Sequence, residues 1–134
     1  MMFLWRAAGK PAPKSNKQTF KDVPKTHTFY KAIQWGVEKG ITKGYGGAQA
    51  GYFGVNDNCT RGQIVMFLWR YAGKPEPKNG SQIFSDVPKG HAFFKAVSWA
   101  KEKKITNGYN DGTFGVNGTC TRGHCVMFLY RLKK

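Results

Sequence analysis

The chain repeats itself, and a repeat limits what it can fold into, because each copy must bury its apolar face against its neighbours. Phe20-Lys-Asp-Val-Pro-Lys-Thr-His-Thr-Phe-Tyr-Lys-Ala returns 64 positions later as Phe84-Ser-Asp-Val-Pro-Lys-Gly-His-Ala-Phe-Phe-Lys-Ala. Cys59-Thr-Arg-Gly returns as Cys120-Thr-Arg-Gly. The N-terminus is a copy as well: Met2 to Lys14 matches Met66 to Lys78 at all but two of thirteen positions.

Met66 lies deep inside a unit, so its partner Met2 implies a chain that starts mid-repeat. Three segments follow: residues 1–19, the tail helix of a truncated unit with a linker; residues 20–83, a full unit with a linker; and residues 84–134, a second full unit. Together they are expected to form one compact domain, as suits 134 residues. Lys10 to Thr19 and Lys74 to Ile83 are rich in Pro, Lys, Ser and Asn and read as connectors. The copies differ in one loop: Tyr45 to Phe53 spans eight positions and Tyr109 to Phe114 five, which places that stretch at the surface. The truncated opening helix is too short to be stable alone. It implies either a docked remnant or a homo-oligomer in which a partner chain fills the gap at the N-terminal repeat.

Each unit reads as two helices joined by a Gly-rich turn. The first helix spans about Thr28 to Lys39, with Phe29, Ala32, Ile33, Gly36 and Val37 on one stripe and Phe93, Ala96, Val97 and Ala100 as their copies. Gly40 is the expected stop, although Lys104 takes that place in the second copy. Asp22-Val-Pro and Asp86-Val-Pro precede these helices, where proline fixes the entering turn. The second helix opens at Thr60-Arg-Gly-Gln63, a capping-box pattern. Ile64 to Trp69, Cys125 to Tyr130 and Met1 to Trp5 are then apolar without interruption, the mark of a buried helix. Central helices are expected at Met1 to Ala8, Gln63 to Tyr71 and His124 to Leu132, with the amphipathic helices outside them.

These motifs carry a resemblance. Phe-x-Asp-Val-Pro, His-x-Phe-x-x-Ala-[Ile/Val]-x-Trp, Ile-Thr-x-Gly-Tyr, Phe-Gly-Val-Asn and Cys-Thr-Arg-Gly, met twice in order, resemble the S-layer homology motif over nearly the whole chain. The resemblance implies a mainly α fold, with tandem repeats around a central helical bundle of pseudo-threefold arrangement and Gly-rich connecting loops. It also implies a non-catalytic module at the extracellular bacterial cell surface that binds an anionic, pyruvylated secondary cell-wall polysaccharide in grooves between units. The family's commonest tetrapeptide is Thr-Arg-Ala-Glu, whose arginine contacts the polymer. Here the tetrapeptides are Thr60-Arg61-Gly62-Gln63 and Thr121-Arg122-Gly123-His124. The arginines match, and the missing acid makes both places more cationic.

Physics points to the same arginines. Arg61 and Arg122 stand in the first turn of their helices, where the macrodipole disfavours a cation by ~0.3–1 kcal/mol. An arginine beside free helix-terminal amides would suit a carboxylate. The competing reading is an arginine that bonds a neighbouring unit's carbonyls, or Asp22 and Asp86, to lock the bundle. The candidate ligand-binding set is Arg61, Arg122, Thr60, Thr121, Gln63, His124, Trp35 and Trp99. The two tryptophans either stack on sugar rings or close the interface between helices. His27 and His91 sit at helix entrances and read as capping or packing groups.

Twenty-two Lys and Arg against seven Asp and Glu give a net charge of +15, which attracts polyanions. Nucleic acid is therefore the rival partner, with Tyr45, Tyr109 and the tryptophans as stacking platforms, although no nucleic-acid motif is present. A third reading is an assembly or adhesion piece without a small ligand. No nucleophile–base pair, paired carboxylates or phosphate loop is shared by both copies, so no enzyme and no cofactor are expected. Cys120, His124 and Cys125 invite a metal, but the first copy offers Cys59, Gln63 and Ile64, so no metal site is expected. A symmetric bundle would set Cys59 and Cys120 at equivalent points around its axis. Unless that axis is very close, their Cα atoms would then lie beyond the ~7 Å that a disulfide spans, and both would stay reduced. No apolar run approaches the ~20 residues of a transmembrane helix, and Met1-Met-Phe-Leu-Trp5 is too short for a signal sequence.

Overall fold

A computed structural model describes residues 1–133. It is helical: α1 (Met2–Ala7), α2 (Tyr30–Glu38), α3 (Arg61–Tyr71), α4 (Phe94–Glu102) and α5 (Arg122–Lys133), with a 3-10 turn at Gly47–Gln49. Among the described residues the one β feature is an isolated antiparallel bridge between Thr60 and Thr119. The 3-10 turn lies in the longer loop of the first copy, and residues 46–52 are exposed, as an insertion there requires.

The chain forms two compact units, Met1–Asp57 and Asn58 onward, and the boundary falls inside the first repeat. The reason lies in the packing. In the first unit α1 lies on α2; in the second α3 lies on α4, with α5 beside α3. The closing helix of one repeat is thus covered by the opening helix of the next. The repeat as sequence is out of phase with the unit that packs.

The opening helices start later than their apolar spacing suggests. Phe29, expected on the buried stripe, is 39% exposed, while Tyr30 at 7% faces the core. The Phe29 N–H is bonded by His27 Nδ1 at 3.0 Å, which holds Phe29 at the cap. Both helices end alike. The Gly40 N–H reaches Val37 O at 3.0 Å and the Ile41 N–H reaches Gly36 O at 2.8 Å, the double bond of a Schellman stop. Lys104 and Ile105 repeat this with Lys101 O and Ala100 O, at 3.1 and 2.8 Å. Gly40 adopts φ 72° and Lys104 φ 61°. A side chain in that left-handed region costs about 1 kcal/mol, so the second stop is the weaker. Ile41 and Ile105, just beyond, are wholly buried.

In the first unit Phe20, Val23, Tyr30 and Ile33 form the core, with Met1, Val37, Phe53 and Val55 around it. In the second, Val65, Leu68, Val97, Ile105 and Phe114 are the largest fully buried apolar side chains. Burying residues of this size stabilises by about 1.5–3 kcal/mol each. Burial on all sides was expected of three helices and describes α3 best, where Ile64, Val65, Met66 and Leu68 are buried. On α1 only Leu4 is buried. On α5, Val126, Met127 and Tyr130 stand 52, 43 and 61% exposed. An uninterrupted apolar run fixes a helix but does not say how many neighbours surround it.

The connectors are irregular yet tied down. Glu38 accepts the Lys14 and Ser15 N–H groups, each at 2.8 Å. Glu102 accepts those of Lys78 and Asn79, at 2.8 and 2.7 Å. The indole N–H groups of Trp5 and Trp69 donate to Pro11 O and Pro75 O at 2.8 Å.

Candidate ligand-binding site at the Thr-Arg-Gly helix starts

The site begins with an aspartate. Asp86, entering the turn before α4, accepts the Phe114, Gly115 and Val116 N–H groups at 2.8, 2.8 and 2.9 Å. Asp22 does the same for Phe53, Gly54 and Val55 at 2.9, 2.8 and 3.0 Å. Burial pushes both carboxyls up, but their backbone donors outweigh it and hold them below the ordinary value. With three amides turned inward on Asp86, this stretch presents its carbonyls to the start of α3. Phe114 O accepts Arg61 Nε–H at 2.9 Å, Val116 O the Gly62 N–H at 3.1 Å, and Gly118 O the Arg61 N–H at 2.8 Å.

The capping box forms as read: Thr60 Oγ1 accepts the Gln63 N–H at 3.1 Å and Gln63 Oε1 the Thr60 N–H at 2.9 Å. The amides of Arg61, Gly62 and Gln63 are therefore all occupied within the protein, and the expectation of free helix-terminal amides at α3 does not hold. Thr60 and Gln63 serve the cap.

Arg61, a candidate ligand-binding residue, is only 4% exposed. Its guanidinium carbon lies 4.7 Å from the Tyr109 ring centroid, 4.8 Å from Phe114 and 5.3 Å from Phe128. Nη1 is 3.4 Å from His124 Nδ1. Arginine can only donate, so a hydrogen bond here requires the His124 tautomer that leaves Nδ1 free to accept. Asp22 and Asp86, weighed as arginine partners, are used by backbone amides instead. Among the described residues the one salt bridge joins Lys95 to Glu76, both exposed, and Arg61 is held by aromatic faces and a carbonyl. Its copy differs. Arg122 is exposed, as is Thr121, and His124 is half-buried. Thr121 Oγ1 accepts the His124 N–H at 3.1 Å, the first half of a capping box.

The S-layer homology domain model matches residues 19–65 and 83–124. The chain belongs to the S-layer homology domain family. It is 28% identical over 121 residues to a cellulosome-anchoring protein of Acetivibrio thermocellus, an alignment covering 88% of this chain and 25% of that relative. It is 26% identical over 116 residues to a cell surface protein of Thermoanaerobacter kivui, covering 84% of this chain and 15% of that relative. The chain thus spans a quarter or less of the curated relatives it matches.

Within this S-layer homology domain the remaining candidates sort by burial. Trp35 and Trp99 are each 3% exposed. Both rings are covered by protein in this structure. His27 and His91 cap, each Nδ1 accepting an N–H two residues on at 3.0 Å, with rings 5.4 Å from Phe29 and Phe93. Tyr109, read only as a stacking platform for bases, is one wall of the Arg61 socket, and its aromatic place after Gly108 was the available signal.

The cysteines require a correction. All three thiols are free, but Cys59 and Cys120 are not far apart: the Cys120 N–H bonds Cys59 O at 2.7 Å. The two helix starts meet through the Thr60–Thr119 bridge, which brings the cysteines beside one another. Burial pushes the Cys59 thiol up to about 11. Burial, with Cys125 and Cys59 nearby, pushes Cys120 up to about 12.

Proposed function

We propose that this S-layer homology domain is a non-catalytic anchoring module of the bacterial cell surface that binds an anionic, pyruvylated secondary cell-wall polysaccharide. The observation that carries this reading is the contrast between the two Thr-Arg-Gly starts. Arg61 is buried as a clamp between repeats, whereas Arg122 stands exposed at the head of α5 beside exposed Thr121 and half-buried His124. Arg122 can thus meet a carboxylate of the polymer, with the guanidinium of Arg61 adding positive potential beneath His124. The relatives named above, a cellulosome-anchoring protein and a cell surface protein, agree with this place of action. Among the described residues no helix is long and apolar enough to cross a membrane.

The test is binding of the purified chain to wall polysaccharide before and after the pyruvyl ketals are removed by mild acid. Losing one charge-assisted hydrogen bond costs about 1.5–3 kcal/mol, so Arg122→Ala is expected to weaken binding tenfold or more with the fold retained by circular dichroism. Removal of pyruvate should do the same. Replacing Lys101, Lys103 and Lys104 together by Ala should cost less, and mainly at low salt. If the lysine changes match the arginine change, or heterologous DNA binds as tightly at physiological salt, the site reading fails. The net charge of +15 would then be acting as a diffuse polyanion surface.

A further inference from the structure

We propose that Cys59 and Cys120 form a disulfide under oxidising conditions, a clasp that joins the two Thr-Arg-Gly helix starts covalently. The pairing stands on backbone geometry and is independent of what the domain binds. The bonds Cys120 N–H to Cys59 O at 2.7 Å and Arg61 N–H to Gly118 O at 2.8 Å flank the antiparallel Thr60–Thr119 bridge. One step outward along that register, Cys59 lies opposite Cys120. Of the two bonds such an opposed pair can exchange, Cys120 N–H to Cys59 O is formed; opposed residues at that kind of position have Cα atoms about 5.5 Å apart, inside the roughly 4.4–6.8 Å range of disulfides. Side chains alternate along extended backbone, so both cysteines leave on the face opposite Thr60 and Thr119. Cys59 and Cys120 are half-buried and within reach of a small oxidant, while Cys125 is buried on α5.

The oxidant is a small disulfide. The Cys120 thiol, more open than Cys59, loses its proton to solvent and attacks one sulfur of that disulfide, releasing one small thiolate and leaving a mixed disulfide. Cys59 then loses its proton and displaces the second small thiolate as the protein S–S bond forms. Two cysteine sulfurs are oxidised and one small disulfide is reduced to two thiols. Both cysteines hold their protons well above neutral pH, so exchange is slow in both directions and the closed clasp persists.

The full chain is incubated with oxidised glutathione, free thiols are alkylated, and the digest is mapped. The expected product is one intramolecular Cys59–Cys120 link with Cys125 alkylated. Closing so long a loop should raise the unfolding midpoint by about 10 °C, reversed by reductant. Cys125→Ala must still form the link, and Cys120→Ser must lose both link and thermal gain. Three alkylated cysteines after oxidation, a link to Cys125, bonds only between chains, or a persistent glutathione adduct would each overturn the pairing.

Discussion

The heads of α3 and α5 share the words Cys-Thr-Arg-Gly, yet one is interior and the other is surface. At α3 every early amide has a protein acceptor and the arginine is sandwiched by rings from the following repeat. At α5 the same arginine is exposed. The glycines differ in parallel. A Cβ on Gly62 would lie 2.6 Å from the Phe93 ring, 2.7 Å from a Val116 methyl and 2.9 Å from Val116 O, whereas one on Gly123 would meet only Thr121 Oγ1 at 3.8 Å. The family's usual alanine at this place is therefore excluded at Gly62 by the neighbour and permitted at Gly123. In a tandem repeat, a motif's role is set by whether another repeat lies over it.

The arginines offer the largest test of this contrast. Arg61→Ala should cost about 3 kcal/mol of stability, because it empties a socket between three rings and strands a buried carbonyl. Arg122→Ala should stay within about 0.5 kcal/mol, as surface changes do. Chemical denaturation of both variants decides it, and equal losses would break the comparison. The glycines should show a smaller effect of opposite sign. Gly62→Ala should destabilise by about 1–3 kcal/mol through overpacking against backbone, and Gly123→Ala should stabilise by about 0.5–1 kcal/mol through helix propensity. A loss in both variants would mean that the α5 start is covered after all.

Acid should sharpen the contrast further, with the smallest effect of the three. Asp86 is lowered in the folded state from an ordinary 3.8, so its contribution is whole above that pH and is lost as pH falls through the lower native value. Protonation loosens the Phe114–Val116 stretch that holds Arg61. Tyrosine fluorescence at Tyr109 should therefore change below about pH 4 in the wild type. In Asp86→Asn, which has no carboxyl to titrate, the altered signal should already be present at neutral pH and the acid-dependent change should be lost. A profile unaltered by that substitution would separate the aspartate from the socket.

Much of this fold was legible in the residues. The duplicated motifs gave both repeats, the apolar runs gave α1, α3 and α5, and Thr60 with Gln63 gave the capping box. The Asp22 and Asp86 bridges were not legible, because their acceptor role reaches backbone amides about thirty residues away, with no periodicity to betray it. The unlike fates of Arg61 and Arg122 were hidden for a related reason: identical tetrapeptides carry no record of what packs over them. Cys59 and Cys120 were misplaced because nothing in the residues betrays the single backbone bridge that brings them together.

The two glutamate clips on the connectors have a mechanical consequence. Glu38 and Glu102 sit at helix ends and grip passing backbone by two hydrogen bonds each. In a module proposed to hold a protein against a wall, a pull along the chain reaches these grips while the helices are still whole. Water competes for their bonds, so they yield first, and each opened connector lengthens by up to about 3.3 Å for every residue drawn straight. Under such a load the connectors would give up length while the helical hydrogen bonds stay intact.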